Sequence, residues 1–270
     1  MGTVESRDVV VSGKNVHAWV GGRGPGLLLL HSAWGDARLS WSPVWEELSK
    51  TFTVVAPDMP GYGRSDVAQE PGVTGSARLM GELLNALKLD RVVVVGNSMG
   101  VSCAIEVACL FPDRVTHLVA VNGSSVPHIP GFVKPLFRLP FMKRMILEAS
   151  WSDQAYAKGF PDQAALPAGF IDKIRNVKDK HGPLGFELVA GQRTAQRRPS
   201  VPVTVVWGTG DRLVPRKQAQ AFFKWIGKHR YVPLEGAGHM PQVERPAEFV
   251  SALRSLSTAQ RAKDEHVVPR

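Results

Sequence analysis

Cysteine is nearly absent from this chain: Cys103 and Cys109 are its only two in 270 residues. They sit six positions apart on a stretch that reads as helix, which separates them by about 9 Å along the axis, beyond disulfide reach. They read as small core residues of a reduced protein, and no grouping of His and Cys at ligand spacing points to a metal. Long apolar runs are also missing, so no segment reads as a bilayer-spanning helix. The polar, mixed-charge opening from Met1 to Asp8 lacks the pattern of a secretory signal. These absences lead to the expectation of a cytoplasmic protein that works without metal or cofactor.

Acidic residues are in deficit, 24 against 33 bases, for a formal net charge of +9. The surplus is concentrated between Gly123 and Ser200, where twelve bases accompany six acids. Bases interleaved with acids at helical spacing read as a solvated face rather than a phosphate-tracking groove, so no nucleic-acid partner is expected. Attraction of anionic substrates stays open. Hydrophobic content of 44% and charge of 21% exclude a disordered chain. The glycine-rich run Gly21 to Gly26 is not followed by Gly-Lys-Ser/Thr or by a helix, so it reads as a flexible turn and not a phosphate loop.

What is present is a succession of short apolar β-branched runs separated by helical patterns. Asp8–Ser12 and Asn15–Val20 read as a hairpin turning at Gly13-Lys14. Leu27–Leu30, Phe52–Ala56, the run from Val92, Val115–Val121, Val203–Trp207 and Arg230–Leu234 read as strands. Helices are expected from a Ser42 cap with Pro43 as first helical residue, over Ser76–Lys88, Met99–Phe111, Arg216–Gly227, and from Pro246 toward Leu256, with a frayed polar tail from Ser257. Apolar runs without alternation imply a mostly parallel sheet covered by helices on both faces. The alternation stops at Asn122 and resumes at Val203. The chain therefore divides into an α/β core over 1–122 and 201–260, a helical insertion over 123–200, and a tail over 261–270.

Residues Val92 to Gly100, VVVVGNSMG, carry the most chemistry. A buried strand breaks there into Gly-x-Ser-x-Gly, where a turn too tight for side chains on either flank would lift the Ser98 hydroxyl to a helix N-terminus. A serine hydroxyl needs a base to take its proton, and the base needs a partner to hold its tautomer. His239, in the glycine-flexed loop Glu235-Gly-Ala-Gly-His239, is the best-placed of eight histidines. Asp211 follows the strand Val203–Trp207 in Gly208-Thr-Gly-Asp211. In a parallel sheet the loops at the carboxyl ends share one edge, so Ser98, Asp211 and His239 can converge. Asn122 ends the strand before the insertion and offers no competing carboxylate. The Met99 N–H, at the start of the following helix, is placed to hold an oxyanion.

The order Ser, Asp, His together with the elbow resembles the α/β-hydrolase family, and LLLLHSAWGD, VVAPDMPGYGRSD, WGTGDRLVP and GAGHMPQVERP add to the likeness from about residue 8 to 256. The resemblance implies that Ser98 is the nucleophile, His239 the base and Asp211 its orienting acid, that the Ala33 N–H is the second oxyanion donor, and that the insertion is a cap. His31-Ser32 stands where the family has His-Gly, which leads us to expect a shifted or strained oxyanion hole. Ser98 excludes family members that attack through an aspartate. The reading is a serine hydrolase acting on a small to medium hydrophobic ester or acyl substrate through an acyl-enzyme. Two alternatives accompany it: a hydrolase of carbon-carbon bonds in ring-fission products, which share GNSMG but carry a glycine-rich oxyanion loop and a tryptophan after the histidine, and a weakly catalytic small-molecule receptor. The cap's phenylalanines, leucines and methionines, from Phe132 to Leu147, either line a pocket or pack the cap on the core. The stretch GFVKPLFRLPFMKRMI suits a lipid surface in composition, but its prolines argue against a continuous amphipathic helix and against membrane contact.

Overall fold

The computed structural model describes residues 3–123, 139–190 and 197–264, with side chains left out at 188–190 and 257–264. Among the described residues eight strands form one sheet in the order β1-β2-β4-β3-β5-β6-β7-β8. Its antiparallel edge is β1 (Glu5–Val11) and β2 (Lys14–Gly21). The strands β3 (Gly26–Leu30), β4 (Thr53–Pro57), β5 (Val92–Asn97), β6 (Val115–Val121), β7 (Val203–Gly208) and β8 (Arg230–Leu234) pair in parallel. The expected α/β class with a mostly parallel sheet is what forms.

The physical reason lies in the central strands. Every residue of β3, β5 and β7 is buried, so each needs a helix layer on both sides. Leu28, Leu30 and Val94 face one layer with α2 (Gly72–Ala86), α3 (Met99–Leu110) and α8 (Arg216–Ile226). Leu27, Leu29, Val93 and Val95 face the other, with α1 (Ala37–Ser49) and α10 (Pro246–Asp264).

Three local expectations are corrected. The hairpin turns at Ser12-Gly13, both at positive φ (49° and 74°), with Val11 opposite Lys14. That is the primed two-residue turn whose twist matches the strands. Helix α1 starts well before Ser42. Asp36 is extended at φ −122° and its Oδ1 accepts the Leu39 N–H at 2.8 Å, a side-chain cap that leaves Pro43 inside the helix. An interior proline costs about 3 kcal/mol. Burial of Trp41, Val44, Trp45 and Leu48, at about 1.5–3 kcal/mol each, outweighs it. Helix α10 continues to Asp264, past the point where fraying was expected.

Between β6 and β7 the described residues form α4 (Pro140–Ser150), α5 (Asp153–Gly159), a 3-10 turn at Gln163–Ala165, α6 (Phe170–Asn176) and α7 (Lys178–Ala190). Helix α7 docks on the loop after β4: the His181 Nε2 accepts the Gly63 N–H at 3.3 Å, and Lys180 Nζ donates to the Gly63 carbonyl. Burial, with the neighbouring Lys180 charge, pushes the His181 imidazole down to about 4, so it docks as a neutral ring. Of the apolar residues singled out in the insertion, Phe132, Leu136 and Phe137 lie outside the described residues. So does Pro135 of the stretch GFVKPLFRLPFMKRMI. Among the described residues no helix is long and apolar enough to cross a membrane. Cys103 is buried and Cys109 half-buried, both as free thiols. Burial pushes Cys103 up to about 12.

Candidate active site

The turn between β5 and α3 is as tight as its sequence implies. Ser98 has φ 54°, ψ −115°, a conformation that non-glycine residues rarely adopt. Its flanking glycines are required by space: a Cβ on Gly96 would stand 2.3 Å from the Gly100 carbonyl oxygen, and one on Gly100 would stand 2.3 Å from the Leu30 carbonyl oxygen. The second contact also shows how closely the elbow packs against the end of β3, where Ala33 follows.

The structure brings Ser98, His239 and Asp211 together. The Ser98 hydroxyl lies 2.8 Å from His239 Nε2, and His239 Nδ1 lies 2.9 Å from Asp211 Oδ2. The His239 and Asp211 side chains are 3% and 0% exposed, so solvent hardly competes for either bond. With Nδ1–H donating to the carboxylate, Nε2 is left as an acceptor facing the hydroxyl. Asp211 Oδ1 also accepts the Leu213 N–H at 2.8 Å and the Val214 N–H at 3.3 Å. Burial opposes its ionisation most strongly, but His239, Asn122 and the Leu213 amide together hold the carboxyl below its ordinary range.

Ala33 lines the same cavity as Ser98, and Met99 follows Ser98 in the chain. Neither amide donates a hydrogen bond among the described residues. Among the described residues, those with positive φ other than glycine are Ser12, Lys88, Ser98 and Asn122, so Ser32 fills the family's glycine position without left-handed strain. The loop is instead fixed by His31, fully buried, whose Nδ1–H donates to the Ser32 carbonyl at 2.7 Å while Nε2 accepts the Met59 N–H at 2.9 Å. Burial holds that imidazole below its ordinary range, as the neutral ring these two bonds require.

Four supports were not singled out as functional from the sequence. Asn122, at φ 43°, donates from Nδ2 to Asp211 Oδ2 at 2.8 Å and accepts the Gly208 N–H at 2.8 Å, so the position that offers no competing carboxylate instead holds Asp211 in place. Asn97 Nδ2 donates to the His239 carbonyl at 3.0 Å, and Asn97 Oδ1 accepts from Gln242 at 3.1 Å. Glu244 Oε2 accepts the Gly238 N–H at 2.8 Å and Oε1 accepts the Met240 N–H at 3.2 Å, bracketing His239. Trp34 lays its ring edge-on to His239 with centroids 5.5 Å apart, while its Nε1–H donates to the Ser150 carbonyl at 3.1 Å. A buried Asn or Glu looks in sequence like any surface Asn or Glu; only the tertiary neighbours distinguish them.

Ser98 opens into a cavity of about 580 Å³, a size suited to a small-molecule ligand. The insertion contributes Ala149, Ser150, Gln154, Ala155 and Lys158 to its wall. Of the insertion's apolar residues read as lining a pocket or packing the cap on the core, the described Leu139, Phe141 and Met145 are exposed and do not line the cavity, and no residue of α4 is buried. No cluster of three or more His, Cys, Asp or Glu side chains suited to a metal occurs among the described residues.

A parallel sheet with a serine on its sharpest turn, and an acid and an imidazole on two later loops, defines an α/β hydrolase arrangement. The model of the α/β hydrolase family matches residues 27–252, and the chain belongs to that family. It is similar to a pyrrolizixenacetamide deacetylase of Xenorhabdus hominickii, 28% identical over 262 residues, covering 92% of this chain and 96% of that protein. It is also similar to a 2-hydroxymuconate semialdehyde hydrolase of Pseudomonas sp. strain CF600, 24% identical with 92% of each chain covered. Among solved structures, a thermophilic esterase from Thermogutta terrifontis superposes with a TM-score of 0.75 over 93% of this chain and 97% of that one, at 22% identity.

Proposed function

We propose that the protein is a serine hydrolase that cleaves a carboxylic ester, or a related acyl bond, of a small to medium substrate through an acyl-enzyme, with the insertion as a cap over the site. The observation that carries this reading is the continuous relay from Ser98 Oγ to His239 Nε2 at 2.8 Å and from Nδ1 to Asp211 at 2.9 Å. Ser98 Oγ attacks the carbonyl carbon as its proton passes to Nε2, and the carbonyl oxygen gains negative charge between the Ala33 and Met99 amides. Asp211 stabilises the imidazolium. Nε2–H then protonates the leaving oxygen as the carbon-oxygen bond breaks, leaving acyl-Ser98. Water attacks next, giving its proton to Nε2, which returns it to Ser98 Oγ as the acid product departs.

The same relay serves carbon-carbon bond hydrolysis, the activity suggested by likeness to the Pseudomonas enzyme. The ester reading is preferred because the residue after His239 is the fully buried Met240 and the oxyanion loop is Ala33-Trp34-Gly35. A p-nitrophenyl ester series and a fluorophosphonate probe test it. Multiple turnovers, with labelling that Ser98→Ala abolishes, are the expected result. Equal labelling of both proteins would remove Ser98 from its role, a single slow turnover would indicate a receptor, and decay of a dienol ring-fission substrate without ester turnover would favour carbon-carbon cleavage.

A further inference from the structure

The wall of the Ser98 cavity carries two cations, Lys158 at the end of α5 and Arg212 on the loop after β7. The Arg212 N–H donates to the Lys158 carbonyl at 3.0 Å, so the backbone holds the two residues side by side. Each is also tied to the relay. Lys158 precedes Gly159, whose carbonyl accepts the His239 N–H at 2.7 Å, and Arg212 follows Asp211 directly in the chain. Neither cation belongs to an ion pair among the described residues, and the nearby acids are engaged elsewhere: Asp211 with His239, Asp162 with Arg245, Asp153 with Arg175 and Glu148 with Lys178. Residues 124–138 and 191–196 contain no Asp or Glu, so they hold no carboxylate to supply.

Two like charges on one cavity wall concentrate anions from solution. The Arg fork matches a carboxylate, and a lysine ammonium adds a mobile second donor. Gln154 lines the same cavity and adds a neutral hydrogen-bonding group to it. We propose that Lys158 and Arg212 form a carboxylate-binding subsite beside Ser98, so that the ester this protein cleaves carries an anionic group in its acyl or its alcohol part. This rests on the reading of Ser98 as the nucleophile.

The test uses two matched pairs of esters. One pair compares a p-nitrophenyl glutarate monoester with p-nitrophenyl pentanoate; the other compares para-acetoxybenzoate with its neutral amide. The readout is the anionic-to-neutral ratio of kcat/KM, in which any general loss of activity cancels. In the variant Lys158→Gln/Arg212→Gln that ratio is expected to fall about fivefold on one pair, the size of two exposed charge contacts. High salt should lower the wild-type ratio and leave the variant's unchanged. A fall confined to the first pair places the carboxylate on the acyl side; one confined to the second places it on the alcohol side. Unchanged ratios on both pairs, with the neutral esters still turned over by the wild type, overturn the subsite and leave the nucleophile reading intact. Absence of turnover with all four esters, together with no fluorophosphonate labelling of Ser98, overturns both.

Discussion

Glu244 lets the support of the imidazole be measured through pH. It is 3% exposed, and its two oxygens accept the amides on either side of His239. Burial pushes its carboxyl from 4.5 up to about 7, with Asp211 adding to the rise and the Gly238 and Met240 amides and His239 opposing it. Between those two pH values the folded protein keeps a proton that the unfolded chain has already lost. The associated stabilisation is therefore complete below about pH 4.5 and is lost as pH rises through about 7, a change of about 3 kcal/mol. Glu244→Gln does not titrate. It keeps one acceptor oxygen and turns its NH2 toward the other amide, at a cost of about 1–2 kcal/mol. The variant should be less stable than the wild type by about that amount near pH 4.5, and more stable by about 1–2 kcal/mol at about pH 8.5. Urea unfolding at both pH values reads the crossing directly. A stability difference that keeps one sign and size across that range would refute the argument.

Two further substitutions probe the frame around the relay. Asn122→Ala removes the bond to Asp211 and leaves the Gly208 amide unpaired. A hydrogen bond to a charged group is worth about 1.5–3 kcal/mol, so kcat on a p-nitrophenyl ester should fall about ten- to a hundredfold with KM nearly unchanged; a kcat within about twofold of wild type would contradict the orienting role. Gly96→Ala drives a methyl to 2.3 Å from the Gly100 carbonyl, an overpacking expected to cost about 3 kcal/mol and to lower Tm by roughly 6–12 °C. A Tm unchanged by scanning calorimetry would show that the elbow has slack.

The elements legible in the sequence were those whose cause is local. Val92 to Val95 must be covered on both faces, and Gly96 and Gly100 mark a turn with no room for side chains, so sheet, elbow and the carboxyl edge of the strands followed. The meeting of Ser98, His239 and Asp211 was readable because strand ends in a parallel sheet lie along one edge. The start of α1 was misread because Ser42-Pro43 matches a helix start, whereas the actual cap is Asp36 and the cost of Pro43 is offset by tertiary burial of Trp41 and Trp45. Asn122, Glu244 and Trp34 went unrecognised because their roles depend on partners distant in sequence. Lys158 and Arg212 were hidden for the same reason: the Arg212 N–H to Lys158 carbonyl bond joins an insertion helix to a core loop.

The most direct measurement is mass spectrometry of the protein quenched in acid during turnover of p-nitrophenyl acetate. The account predicts an added acetyl group on the peptide containing Ser98, and neither adduct nor turnover in Ser98→Ala. Steady turnover with no acylated species, or a Ser98→Ala protein that hydrolyses the ester at the wild-type rate, would contradict it.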